Sequence, residues 1–172
     1  MPKSSDNSYA HFVTTKTYHQ NPYFSDDILA GIMKEELEFY AGKYSFSLLG
    51  YVVMPDHLHL ICWRDIDEKP DLTISRIMNS IKAMTSKRVK RYLFYGQNSH
   101  YLDSLTDVGQ ATQRHFRLLQ AGFYDFNIYS ESKLAEKLNY MHVNPVKAGL
   151  ATTRNNYHWS SHKSYFTKGT RN

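Results

Sequence analysis

The feature that most constrains this fold is three residues long. His57-Leu58-His59 lies within Tyr51-Val52-Val53-Met54-Pro55-Asp56-His57-Leu58-His59-Leu60-Ile61-Cys62-Trp63, a stretch that is largely apolar on both sides of one Pro-Asp break. Side chains alternate between faces along a strand, so His57 and His59 point to one side while Leu58 and Leu60 point to the other. Two imidazoles one pleat apart can share a metal ion, and the leucines can anchor the strand in a core. The plain alternative is a pair of satisfied strand histidines. The stretch reads as half of a metal site whose other half has to come from elsewhere in the chain.

Composition limits what that site can belong to. A chain of 172 residues, 41% apolar and 15% aromatic, is long enough to bury a core. It is predicted to form a single domain over 1–172, with short polar tails at about 1–8 and 166–172. The single cysteine, Cys62, excludes an internal disulfide framework and a cysteine-rich zinc site, and its apolar neighbours make it a core residue. No apolar run approaches the ~18–20 residues of a membrane span, and residues 1–8 lack the apolar core of a signal peptide. A soluble, cytoplasmic protein with no membrane partner is expected. The formal net charge is +5, and residues 72–102 contain Arg76, Lys82, Lys87, Arg88, Lys90 and Arg91 but no Asp or Glu. A basic face confined to one element is the footprint of a polyanion, or else a solvated helix face.

Residues 9–17 are rich in β-branched and aromatic side chains and read as a first strand. After Asn21-Pro22, Ser25 is placed as an N-cap with Asp26 and Asp27 in the first turn, and Phe24 and Leu29 form a hydrophobic staple. Leu29, Ile32, Met33, Leu37 and Tyr40 recur at helical spacing, which predicts a helix over about 26–41 that stops near Gly42. Residues 46–54 and 57–63 read as an antiparallel hairpin. Pro-Asp is not a favoured two-residue turn, so a wider loop is expected there. A second helix over about 72–92 buries Ile74, Ile77, Met78, Ile81, Met84 and Val89 and keeps its basic residues mostly off that stripe. Residues 93–120 show no clean period and read as a loop with a short helix over about 112–119. Residues 123–129 read as another strand. A last helix opens at Ser130 as N-cap and is predicted to end before Pro145, because a proline pushes its predecessor out of helical geometry.

That last helix carries the other half of the site. At about 100° per residue, Leu134, Leu138 and Met141 form a buried stripe, while Lys133, Lys137, Tyr140 and Asn144 cluster on a different face. Tyr140 stands about 120° from the middle of the stripe, poorly placed for a core aromatic. A tyrosine, an amide and two lysines on one face suit a nucleophile, a metal or hydrogen-bond ligand and phosphate-binding groups. A phenol is a weak nucleophile at neutral pH, and attack on a phosphodiester builds charge on the non-bridging oxygens. A divalent ion on the histidine pair would stabilise that charge. The plain alternatives are a surface tyrosine and, for Asn144, a residue that ends the helix. Glu136 and Asp56 read as ordinary solvated carboxylates, His142 as no ligand, and Trp159 as a residue that packs the tail onto the body.

Three words of the sequence carry a resemblance. Val52-Val53-Met54-Pro55-Asp56-His57-Leu58-His59-Leu60 resembles the V-M-P-N-H-x-H-L segment of the HUH endonucleases of the single-tyrosine transposase class. Leu138-Asn139-Tyr140-Met141-His142-Val143-Asn144-Pro145-Val146-Lys147-Ala148-Gly149-Leu150 resembles their Y-I-x-x-N-P-V-K-x-G-L segment, and Tyr157-His158-Trp159-Ser160-Ser161 their Y-x-W-S-S word. Together these resemble the REP-associated tyrosine transposases, a domesticated branch of that class. Thr14-Thr15-Lys16-Thr17 and Phe123-Tyr124-Asp125 match the family more loosely. Asp56 stands where the family often has Asn, and after the Tyr124-Asp125 word Phe126 and Tyr129 stand where His and Arg are common.

The resemblance implies an α+β fold, an antiparallel sheet with helices packed mainly on one face in ferredoxin-like order. It implies Mg²⁺ or Mn²⁺ as cofactor, Tyr140 as nucleophile, and His57, His59 and Asn144 as metal ligands. The implied activity is metal-dependent nicking and strand transfer through a 5′-phosphotyrosine intermediate. The implied partner is single-stranded DNA hairpins of the repetitive extragenic palindrome type, bound by a monomer or a homodimer. Arg76, Lys82, Lys87, Arg88, Lys90, Arg91, Lys133 and Lys137 are the expected DNA contacts. Two other readings fit the same residues. One is a non-catalytic hairpin-binding module that keeps the fold; the other is a phosphodiesterase that uses water, with Tyr140 only positioning the phosphate.

Overall fold

The structure, a computed structural model, describes residues 9–65, 67–68, 70–95, 105–108 and 114–163. The expected tails at 1–8 and 166–172 lie outside the described residues. The chain runs β1 (Ala10–Lys16), α1 (Asp27–Tyr44), β2 (Ser47–Met54), β3 (His57–Trp63), α2 (Ile74–Tyr95), β4 (Thr106–Val108), β5 (Arg114–Phe116), β6 (Tyr124–Ile128) and α3 (Glu131–Lys147). Strands β2, β3, β1 and β6 line up in that order as one antiparallel sheet, with β1 between β3 and β6. This is the ferredoxin-like order, followed by one extra helix.

Strand alternation divides the apolar residues into two cores. Val13, Tyr51, Val53, Leu58, Leu60 and Cys62 face α1 and α2 and pack with residues such as Leu37, Met78 and Ile81. Ala10, Phe12, Val52, Met54, Ile61 and Ile128 point the other way and meet Met141, Leu134 and Leu138. Helices α1 and α2 therefore cover one face of the sheet, and α3 lies on the other.

Local chemistry explains where the elements begin and end. The cap of α1 is Asp26 rather than Ser25: its carboxylate accepts from the N–H groups of Ile28 and Leu29 at 2.8 and 3.3 Å. A charged acceptor at a helix N-terminus outdoes a hydroxyl one residue earlier. Phe24 and Leu29 are both buried, as a staple requires. The helix continues past Gly42 because Ser45 adopts the left-handed conformation (φ 52°) and caps the carbonyls of Ala41 and Gly42.

The β2–β3 turn is tighter than expected. Met54 pairs directly with His57, which leaves Pro55 and Asp56 as a two-residue turn. Other segments hold it: the Pro55 carbonyl accepts from Phe24 N–H at 2.9 Å, and the Asp56 carbonyl accepts from Thr17 N–H at 2.8 Å and the Thr17 hydroxyl at 3.0 Å. These tertiary bonds stabilise a turn that its own two residues do not favour.

Ser130 caps α3 by accepting from Lys133 N–H at 3.2 Å. The helix does not stop before Pro145 but runs to Lys147 with the proline ring buried inside its last turn. Ala148 N–H donates to Asn144 and Leu150 N–H to Pro145, with Gly149 at φ 70°. Burial of the ring and this closed terminus outweigh the lost N–H and the preference of the preceding residue.

The helix expected over 112–119 is absent from its described part. Residues 114–116 are β5, paired antiparallel with β4, and Leu119 bridges to Thr17; residues 112–113 lie outside the described residues. Strands of three residues are too short to show a period. Residues 157–161 strap the outer edge of β2. Val53 N–H donates to the Trp159 carbonyl at 2.8 Å, Ser161 N–H to Tyr51 at 3.0 Å, and the Tyr157 hydroxyl to Val53 at 2.8 Å. Trp159 packs against the larger core, as expected of a tail anchor, and its indole N–H donates to Asp27 at 2.9 Å. Among the described residues no helix is long and apolar enough to cross a membrane.

Candidate active site and nucleic-acid interface

His57 and His59 share the α3 face of β3 with Ile61. Register sets Thr14 and Val52 on either side of His59, and Lys16 and Met54 on either side of His57. The Asp56 carboxylate lies 2.6 Å from His57 Nδ1, and the Thr14 hydroxyl lies 2.8 Å from His59 Nδ1. Both rings are thus held through Nδ1, and their Nε2 atoms converge to 3.2 Å. Two nitrogens bound to one divalent ion at ~2.0–2.2 Å stand roughly 3 Å apart, so the pair has the spacing of neighbouring ligands. With Nδ1 engaged by Asp56, Nε2 is the nitrogen that His57 turns toward His59. Burial first, and then the neighbouring His57, pull His59 down to about 3, so its ring is neutral at neutral pH.

Helix α3 brings Tyr140 against His59 of this pair. Its ring centroid is 5.6 Å from that of His59 and 6.1 Å from that of Phe12. The tyrosine is 47% exposed, so its hydroxyl is within reach of a ligand from solvent. Lys137, one turn earlier, sets its ammonium 4.7 Å from the Phe126 ring centroid, 5.1 Å from that of Phe12 and 5.9 Å from that of Tyr140. Asn144 follows one turn later on the same helix face and is half-buried. Lys133 precedes Lys137 and pairs with Glu136.

The basic residues of α2 fall elsewhere. Lys82 donates to the carbonyls of Gln120 and Gly122, both at 2.6 Å, and its burial lowers its pKa. Arg88 pairs with Glu35 and Glu36 of α1. Arg76, Lys87, Lys90 and Arg91 are exposed, on a helix that packs against the face opposite Tyr140.

Three contributors are not among the site residues expected from the sequence. Asp56 is not an ordinary solvated carboxylate; it orients His57, and its place directly before the histidine was the available signal. Thr14, in the Thr14-Thr15-Lys16-Thr17 word that loosely resembles the family's, holds His59 across 45 residues of chain. Lys16 is exposed opposite His57, at the open end of the site.

A family model described as "Transposase IS200 like" matches residues 4–104. The chain belongs to the IS200-like transposase family. The matched segment of this transposase runs from β1 through α2 and so includes His57 and His59, and it ends before α3. No curated protein matches the chain. Among solved structures, the transposase is similar to a REP-associated tyrosine transposase bound to a REP hairpin, with a TM-score of 0.69 and 15% identity over 95% of this chain and 82% of that one. It is also similar to a Deinococcus radiodurans R1 protein assigned provisionally as a transposase, with a TM-score of 0.51 and 16% identity over 81% of this chain and 93% of that one. At these identities the likeness is one of fold.

Proposed function

We propose that this transposase nicks single-stranded DNA beside a hairpin and transfers the strand, with Tyr140 as nucleophile. The observation that carries the reading is the exposed phenol of Tyr140 against the His59 ring, 5.6 Å between centroids. The Tyr140 hydroxyl attacks the phosphorus of the scissile phosphodiester, and its proton passes to water. The P–O3′ bond breaks, the 3′ oxygen takes up a proton and leaves, and the 5′-phosphate remains esterified to Tyr140. Attack by a 3′-hydroxyl on that ester reverses the sequence and joins two ends. Lys137, beside the Tyr140 ring, is placed to neutralise the incoming phosphate.

The residues present fit a divalent ion. His57 and His59 would hold it through the converging Nε2 atoms, and Asn144 would add a carboxamide oxygen, leaving positions for water and phosphate. Two imidazoles favour Mn²⁺ over the more strictly oxygen-seeking Mg²⁺. Such an ion, when bound, supplies Lewis-acid stabilisation of charge on the phosphate oxygens.

The structural relative was solved with a REP hairpin, and we assign the same class of DNA to this chain. Lys133 and Lys137 would meet the strand at the site. Arg76, Lys87, Lys90 and Arg91 would meet a stem that passes the edge of the sheet, while Lys82 and Arg88 act through the fold. The test mixes the protein, Mn²⁺ and a single-stranded REP-type hairpin, then looks for a protein–DNA band on a denaturing gel. The band should disappear with a chelator and with Tyr140→Phe. A band that persists in Tyr140→Phe rejects the nucleophile. Tight hairpin binding without any band favours a non-catalytic module, and free 5′-phosphate ends with repeated turnover favour attack by water.

A further inference from the structure

The sheet face beside α3 continues past Tyr140 and is aromatic. On β6, Tyr124 lies opposite Thr14 and Phe126 opposite Phe12. Followed across the sheet, Tyr124, Thr14, His59 and Val52 form one row. Phe126 packs with the α3-side core, so alternation places Tyr124 on that same face. Tyr124 is 57% exposed. At about 4.8 Å per strand, its backbone stands roughly 10 Å from that of His59. That is a distance a flexible single strand covers with a base next to the cleaved phosphate.

Charge favours the same occupant. Lys137 reaches from α3 to the adjacent row, with its ammonium 4.7 Å from the ring centroid of Phe126, which lies two residues along β6 from Tyr124, and 5.9 Å from that of Tyr140. The nearby carboxylates are engaged: Asp56 with His57, Glu136 with Lys133, and Asp125 on the opposite face with His11 at 3.0 Å. An exposed tyrosine, a half-buried phenylalanine and a lysine together suit a base with its phosphate.

We infer that Tyr124, backed by Phe126 and Lys137, is a stacking platform for the unpaired base next to the cleaved phosphodiester. The inference rests on the proposed DNA-cleaving function and adds to it a reason for preferring a single-stranded flank over the stem. Stem bases are already stacked on each other, whereas an unpaired base offers a bare π-face to the tyrosine. Stacking tolerates any base, so the platform would set position along the strand rather than sequence.

The experiment reads equilibrium binding by fluorescence anisotropy. It uses the full chain in a Tyr140→Phe background and a hairpin whose single-stranded flank carries an abasic site at each position in turn. Adding Tyr124→Ala should weaken binding about tenfold, while Tyr124→Phe should stay within about twofold of the parent. One abasic position should cost the parent about tenfold and the Tyr124→Ala protein nothing further, as expected of two halves of one contact. Equal losses for both proteins at every abasic position overturn the inference, as does unchanged affinity in Tyr124→Ala. Because Tyr124 is exposed, its variants should melt with the parent; a lowered melting temperature in Tyr124→Ala assigns the residue to the fold and also overturns the inference. Binding is independent of chemistry, so a missing covalent adduct with Tyr140 intact rejects the proposed reaction and leaves the stacking result readable. A parent that binds no hairpin rejects both.

Discussion

On the face covered by α1 and α2, Leu58, Leu60 and Cys62 of β3 are fully enclosed with Leu37, Met78 and Ile81. Of the polar groups there, the buried Glu36 meets Arg88 and the Thr85 hydroxyl lies 3.8 Å from the Met33 sulfur, while the buried Thr15 hydroxyl has no hydrogen-bond partner. On the α3 face the same strand presents His57 and His59, whose Nε2 atoms point at each other, with Tyr140 and Lys137 left partly open to solvent. One strand serves both sides because each face sees only every second residue. The closed face holds the larger of the two cores, which leaves the open face able to keep polar and aromatic groups that the fold alone does not require.

Substitutions should separate the two faces. The largest effect belongs to Tyr140→Phe. Covalent adduct formation should fall at least about a thousandfold on denaturing gels, while hairpin affinity and thermal unfolding stay unchanged. Next come Leu37→Ala and Ile81→Ala, each with an expected loss of about 2–5 kcal/mol in urea unfolding. Nicking per folded molecule should survive both, and its disappearance would mean that the faces are not independent.

Smaller effects refine the open face. Asp56→Ala and Thr14→Val should each lower Mn²⁺ affinity about 10–100-fold by calorimetry, because they release the imidazoles they hold. A change in stability with unchanged Mn²⁺ affinity would turn both residues into fold elements. A smaller effect is expected of Lys137→Gln, which should weaken hairpin binding and reduce its salt dependence by about one unit of slope. Lys87→Gln on α2 should change binding less, and Arg88→Gln should show in unfolding rather than in binding. If Lys87 matters more than Lys137, the DNA path crosses α2 and the contrast between the faces has to be redrawn.

Much of the site was legible before any tertiary contact was known. The alternation of His57, Leu58 and His59 holds, and so does the separation of Tyr140 from the Leu134–Leu138–Met141 stripe. Ser130 caps its helix as its position predicts. Where local rules failed, long-range bonds had overruled them. The N–H groups of Phe24 and Thr17, donating to the Pro55 and Asp56 carbonyls, hold the tight Pro55-Asp56 turn, and burial keeps Pro145 inside α3. The β4–β5 pair was missed because three residues leave no period to read.

The sequence by itself determined which side chains share a face within each element, because backbone geometry repeats every two residues in a strand and every 3.6 in a helix. Only the tertiary structure decided that α3 lies on the histidine side of the sheet rather than with α1 and α2. It also decided that Thr14 and Asp56 hold the two rings, and that Lys82 and Arg88 are taken up by carbonyls and glutamates. Those outcomes depend on contacts between residues far apart in the chain. No local period encodes such contacts; they follow from how the apolar stripes of separate elements fit against each other.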